Sequence, residues 1–177
     1  QCIVIDKKYH PEGIHGDRFL TLGIMHPEKG NLAAIMLCLQ AGVPIDVVGK
    51  FDGLHPEYEE AIKKLQGESV NILGEVSEEK KVQLMQTCKA LIYAIQYEEV
   101  TSHKVCEAIC CGAPIITANA GALSEIVSDG LDGFLCNNEK DYMEAIQKKV
   151  EGLPREETVK KYSIEEVCRQ WNELYKK

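Results

Sequence analysis

No apolar run in this 177-residue chain approaches the roughly 18–20 residues that a membrane-spanning helix requires. Positive charge is not in excess either: 20 Lys and Arg stand against 28 Asp and Glu, a net charge of −8. A surface of that sign repels phosphate backbones and anionic lipid, which argues against nucleic acid and against direct membrane binding by this domain. Residues Gln1 to Lys8 lack the pattern of a secretory leader. The eight cysteines (Cys2, Cys38, Cys88, Cys106, Cys110, Cys111, Cys136 and Cys168) include no C-x-x-C pair, and the adjacent Cys110 and Cys111 suit neither a zinc site nor an easy bridge. Most sit in apolar runs such as Leu37-Cys38-Leu39, so they read as buried free thiols in a reducing, cytoplasmic setting. A start at Gln1 rather than Met is what a fragment would show.

What is present is ordinary globular material, 45% hydrophobic and 27% charged, in a length close to one domain. Short β-rich runs alternate with helical patterns. Phe19–Gly23, Ile45–Gly49, Val70–Gly74, Ala90–Ala94, Ile115–Thr117 and Gly133–Cys136 read as strands. Between them, Asn31 is expected to cap a helix carrying Leu32, Ile35, Met36 and Leu39, which Gly42 ends and Pro44 stops. Tyr58, Ala61, Ile62 and Leu65 mark a second helix. Ser77 is expected to cap a third, with Val82, Met85 and Cys88 facing inward. Ser102 is expected to cap a fourth, which runs to Gly112. Ala122–Val127 forms a short helix and Asp141–Val150 another. Ser163 and Glu166 form a capping box before a last helix, with Ile164, Val167, Cys168, Trp171, Leu174 and Tyr175 on its apolar face. Alternating strands and helices, with strands apolar on both faces, imply a doubly wound parallel α/β sheet.

Ligands of such sheets bind beyond the carboxyl ends of the strands, so the loops there are the places to search. The loop Gly23-Ile24-Met25-His26-Pro27-Glu28-Lys29-Gly30 has neither the three-glycine spacing of a dinucleotide fingerprint nor the Gly-Lys-Ser/Thr order of a P-loop. It offers Lys29 near a helix start, either a solvated lysine or a point charge for phosphate. Glu99 and Glu107 are separated by seven residues around the expected helix start at Ser102. They are either surface glutamates or carboxylates for a hydroxyl-rich ligand, with the amides of His103 and Lys104 open to phosphate. Gly121 precedes the short helix and permits close backbone approach.

Taken in order, Pro27-Glu28-Lys29-Gly30, Val47-Val48-Gly49, Asn71-Ile72-Leu73-Gly74, Glu98-Glu99, Glu107-Ala108, Gly112-Ala113-Pro114 and Gly121-Ala122-Leu123-Ser124-Glu125 resemble the donor-binding, C-terminal domain of a retaining glycosyltransferase. The resemblance is to the two-domain GT-B architecture of family 4, the glycosyl transferases group 1, and it runs from about Phe19 to the end of the chain. It implies a Rossmann-like half of a GT-B fold, with residues 1–17 a linker from a missing acceptor domain, 18–162 the nucleotide-sugar-binding domain and 163–177 a C-terminal amphipathic helix. By resemblance Glu99 positions the transferred sugar and Glu107 takes the ribose hydroxyls, while Lys29 pairs with the pyrophosphate. Backbone at Ser102 and His103 contacts sugar and distal phosphate, and Ile72 and Leu73 border the base; Lys104, which is this chain's own departure in the first helical turn, adds positive charge where that phosphate would lie. Gly23, Gly49 and Gly121 complete the donor-binding set. The implied reaction transfers a hexose from a nucleotide-diphosphate sugar to an acceptor hydroxyl with retention, with no metal and no cofactor. The implied setting is cytoplasmic, with the full-length protein peripheral at the inner membrane face.

Two departures from the family pattern stand out. Ile24 occupies the place of an arginine, a loss worth roughly ten- to hundredfold in pyrophosphate binding unless His26 or Lys50 compensates. Val100-Thr101-Ser102 replaces Pro-Phe-Gly, putting a side chain where a glycine usually stands. Both fit altered donor preference or reduced activity. Alternative readings are a catalytically impaired binding or scaffold module, and a nucleotide-sugar enzyme of the same shape such as an epimerase, against which the glutamate pair counts.

Overall fold

A computed structural model describes residues 5–11, 16–148 and 160–176. Cys2, the end of the expected helix at 149–150, and the charged stretch at 155–157 lie outside the described residues. Six strands, β1 (Phe19–Leu22), β2 (Ile45–Val48), β3 (Val70–Gly74), β4 (Leu91–Tyr93), β5 (Ile115–Ala118) and β6 (Gly133–Cys136), form one sheet in the order β3-β2-β1-β4-β5-β6. Every pairing is parallel. The helices are α1 (Asn31–Ala41), α2 (Pro56–Lys63), α3 (Glu78–Thr87), α4 (His103–Cys111), α5 (Leu123–Ile126), α6 (Glu139–Gln147) and α7 (Ile164–Tyr175), with a 3-10 turn at Pro27–Lys29.

The two-residue period of the strands divides the core into two layers. Leu20, Leu22, Leu91, Tyr93 and Ile115 join α3 and α4 on one face, through Met85, Val105 and Ile109. Phe19, Ile45, Val47, Ile92 and Ile116 join α1, α2 and α6 on the other, through Ile35, Ile62 and Ile146. The chain winds outward from β1 to β3 and then returns to β4. The loops after β1 and β4 therefore leave neighbouring strands in opposite directions, and a crevice opens between them.

Local detail corrects the sequence reading in several places. Gly30, not Asn31, is the N-cap of α1, in the left-handed region at φ 70. A Cβ at Gly30 would collide with the carbonyl of Ala94 beyond β4, so the turn into α1 needs glycine, and Asn31 becomes the buried first residue of the helix. In helix α1 Ala34, Ile35, Leu37 and Cys38 are buried, while Met36 and Leu39, expected among its apolar positions, are exposed because α1 lies over the sheet between α2 and α6. Helix α6 starts earlier than expected, at Glu139, because the Asn138 side chain accepts from the amide of Asp141. Helix α2 likewise begins earlier, with Pro56 in its first turn.

The expected box at Ser163 and Glu166 is half formed. Ser163 Oγ accepts from the Glu166 amide at 3.2 Å, but the Glu166 carboxylate turns to Arg169 and Gln170. On α7 Val167 is buried, while Ile164, Trp171, Leu174 and Tyr175 are exposed, as is Cys168. The Ser77 cap is as expected, its hydroxyl 3.3 Å from the Lys80 amide. Ser77→Ala is expected to cost about 1 kcal/mol, read as a shift of the chemical-denaturation midpoint at constant slope.

Six core thiols are buried and form no disulfide among the described residues. Burial pushes Cys38, Cys106, Cys110, Cys111 and Cys136 up, to between about 11 and about 12, so they pack as neutral side chains. Residues 5–11 run along the α3–α4 face, where Tyr9 is buried in the core. No helix among the described residues is long and apolar enough to cross a membrane.

Candidate functional site

Five side chains converge in the crevice between β1 and β4. The 3-10 turn after β1 is held by His26, whose Nδ1 accepts from the Glu28 amide, and it ends on Lys29. The Lys29 ammonium donates to Tyr97 Oη at 2.5 Å and lies 4.4 Å from the centre of that ring. Tyr97 Oη in turn donates to Glu99 Oε2 at 2.8 Å, and Tyr93 Oη, at the end of β4, donates to the same oxygen at 2.6 Å. One tyrosine hydroxyl thus links a cation on the β1 side to a carboxylate on the β4 side. Burial alone would raise the Glu99 carboxyl. The hydroxyls of Tyr93 and Tyr97, the Thr101 amide and the Lys29 charge together hold it below the ordinary carboxylate value. Glu99 is therefore an anion fixed in place.

The backbone of Glu99 is fixed as well. Ala122 donates its amide to the Glu99 carbonyl at 2.6 Å, and a Cβ on Gly121, at φ 55, would strike that same carbonyl. Sequence reading placed Gly121 against a ligand; in the fold its missing side chain lets the loop after β5 close on the loop after β4.

Lys104, in the first turn of α4, sends its ammonium across to β1, 3.1 Å from the Leu22 carbonyl and 4.6 Å over the Tyr93 ring. Glu107 lies one turn further along α4 and is half-buried. Its Oε2 is 3.2 Å from Lys81, which also bridges to Glu78, and Tyr9 hydrogen-bonds Glu78. The charges of Glu99 and Glu107 favour the charged form of Lys104, against its burial and the charge of Lys29.

The other expected residues are placed as follows. Ser102 stands at the N-cap of α4, but its hydroxyl makes no capping bond, and Thr101 and Ser102 hydroxyls are buried with no partner among the described residues. The expected cap is therefore corrected: at ψ 94 the Ser102 side chain does not meet the first free amides. His103 is exposed at the first position of α4. Gly23 closes β1, and Gly49 packs on the Gly23 carbonyl while donating to Gly74. Ile72 and Leu73 sit on edge strand β3, half-buried toward opposite faces. Ile24 is 47% exposed and brings no charge. His26 is also engaged edge-on by His55.

Sequence reasoning missed Tyr93, Tyr97, Lys81 and Tyr9. Tyr93 passes for a core strand residue, and Tyr97 stands in a loop without periodicity. Only the hydroxyl on a residue ending a strand hinted at a polar partner.

The site is an open crevice. Two cavities lie elsewhere, one of about 530 Å³ between α1 and α6, the other of about 620 Å³ between residues 5–10 and α7, and neither is lined by Lys29, Glu99 or Glu107. Among the described residues no group of three His, Cys, Asp or Glu side chains could hold a metal ion.

The sequence profile of the glycosyl transferases group 1 matches residues 20–166, from β1 into α7. The chain belongs to that family. It is 30% identical over 132 residues to the uncharacterized glycosyltransferase MJ1178 of Methanocaldococcus jannaschii, covering 72% of this chain and 36% of that protein. It is 36% identical over 74 residues to the alpha-1,3/1,6-mannosyltransferase ALG2 of Dictyostelium discoideum, covering 41% of this chain and 17% of that protein. The chain thus spans about a third or less of these relatives. The structure of Anabaena Alr3699/HepE in complex with UDP and glucose superposes with a TM-score of 0.74 at 21% identity, covering 92% of this chain and 48% of that one. The fold is the Rossmann-like half of a GT-B glycosyltransferase.

Proposed function

We propose that this glycosyltransferase domain binds a nucleotide-diphosphate sugar and forms the donor half of a retaining hexosyltransferase. The observation that carries the reading is the link from Lys29 through Tyr97 to Glu99 across the β1–β4 crevice. It sets a phosphate-binding cation beside an ionised carboxylate that accepts hydroxyls, at the place where doubly wound sheets bind ligands. The UDP and glucose held by the Anabaena protein support the same ligand class. Glu107 takes the ribose diol in exchange for Lys81, and Glu99 orients the hexose. Lys29 and the amide end of α4 take up charge that develops on the departing phosphate, where a preorganised dipole acts without reorganisation. The proposed step needs no metal ion.

The acceptor and the closing of the cleft belong to an N-terminal domain of the same protein, with residues 1–17 as linker, 18–162 as donor unit and 163–177 as a terminal helix. The share of the relatives that the chain spans supports this division. Buried thiols that form no disulfide among the described residues support a reducing, cytoplasmic setting. The isolated chain is then a binder and not a catalyst. Thermal melting with UDP, GDP and ADP and with their sugars tests the reading. A rise in melting temperature with one nucleotide series, without sugar transfer to water or to simple acceptors, is the expected result. No response to any of them, or robust transfer by the chain alone, would overturn it.

A second reading, a module that binds without catalysing, is favoured by the exposed Ile24 and by the engagement of Glu107 by Lys81. Transfer measured in the protein that contains the N-terminal domain separates the two.

A further inference from the structure

We propose that Lys104 is a second cation of the donor site, closing on the phosphates from α4 opposite Lys29, and that its charge makes the site select a diphosphate over a monophosphate. The inference rests on the nucleotide-sugar reading above. The Lys104 ammonium lies at the end of β1, 3.1 Å from the Leu22 carbonyl and 2.9 Å from the point where a Gly23 Cβ would stand. A side chain at Gly23 would displace it. Neither Lys104 nor Lys29 forms an ion pair with a carboxylate among the described residues. Glu99, whose charge acts on both, is already committed through Oε2 to two tyrosine hydroxyls. A lysine ammonium has three donors, and among the described residues Lys104 donates to one carbonyl, with a ring face below it. Two half-buried ammonium groups whose charges repel, neither in an ion pair with a carboxylate among the described residues, favour an anion that both can reach.

The groups facing Lys104 come from each surrounding element: Lys29 from the 3-10 turn, Tyr93 from β4, Glu99 from the loop after β4, and Glu107 from α4 itself. Burial and the Lys29 charge bring the Lys104 ammonium down to about 8, against the opposing pull of Glu99 and Glu107. A bound diphosphate favours the charged form and raises that value again. Binding above the free value therefore takes up a proton, and affinity falls as pH rises through it.

Isothermal titration of the 177-residue chain with UDP, GDP and ADP, each against its monophosphate, tests the proposal. Lys104→Ala is expected to weaken the bound diphosphate about tenfold and the monophosphate by less than about twofold. Lys104→Gln keeps the stem over Tyr93 and a donor for the Leu22 carbonyl, so it separates charge from packing, and it is expected to lose as much. From about pH 7 to about pH 9 the affinity of the natural chain falls, whereas Lys104→Arg, charged throughout, holds a flat profile. Full diphosphate affinity in Lys104→Gln, with binding still lost in Glu107→Ala, would overturn the role of Lys104 and leave the proposed function standing. No diphosphate binding by the natural chain would overturn both.

Discussion

Glu107→Ala is expected to weaken nucleoside diphosphate binding by about a hundredfold or more while the chain stays folded. A carboxylate that receives two hydroxyls makes two charge-assisted hydrogen bonds, each worth about 1.5–3 kcal/mol, and alanine loses both. The sum corresponds to at least two powers of ten in affinity. Stability changes far less. The Lys81–Glu107 pair is partly open to solvent on both sides, and such pairs contribute about 0–1 kcal/mol. Lys81 also keeps Glu78 as a second partner. Titration calorimetry together with a melting curve separates the two effects. An unchanged affinity at an unchanged melting temperature would show that Glu107 is a surface glutamate and nothing more.

Gly30→Ala is expected to lower stability by about 3 kcal/mol, among the largest effects of any single methyl added to this chain. Gly30 holds φ 70, where a Cβ is strained, and the added carbon meets the Ala94 carbonyl, a backbone atom that no rotamer change can move aside. Relief requires β4 and the turn into α1 to separate, and these are the two walls of the crevice. For a chain of this size the loss corresponds to a fall of about 6–12 °C in melting temperature. It is accompanied by weaker nucleotide binding, because Lys29 is the preceding residue. A melting temperature within about 2 °C of the natural chain would mean that the turn repacks freely.

Much of the fold was legible because the sheet is buried on both faces. Runs such as Leu91-Ile92-Tyr93 and Ile115-Ile116-Thr117 can be little else than central parallel strands, and Gly42 and Gly112 end α1 and α4 as their positions imply. Helix caps were less legible. Asn31 and Ser102 are both good capping residues by local preference, yet the first is buried past a glycine forced by β4 and the second has its hydroxyl turned away from the free amides. Local preference is worth about 1 kcal/mol, and tertiary packing of that order overrides it.

The site divides along the same line. Lys29, Glu99 and Glu107 could be named as candidates, from residue type and spacing and from the order of motifs in the family resemblance. Their hydrogen-bond partners could not. Tyr93 and Tyr97 reach Glu99, Lys81 reaches Glu107, and Tyr9 reaches Glu78 from 69 residues away. Order along the chain determined the strands, the helices between them and the loops that hold the functional groups, because backbone hydrogen bonding and burial act with fixed periods. Which charges neutralise one another, and which stand without a carboxylate partner among the described residues, was decided when the sheet brought β1 and β4 together, because electrostatic and hydroxyl contacts depend on distance in space and carry no period in sequence.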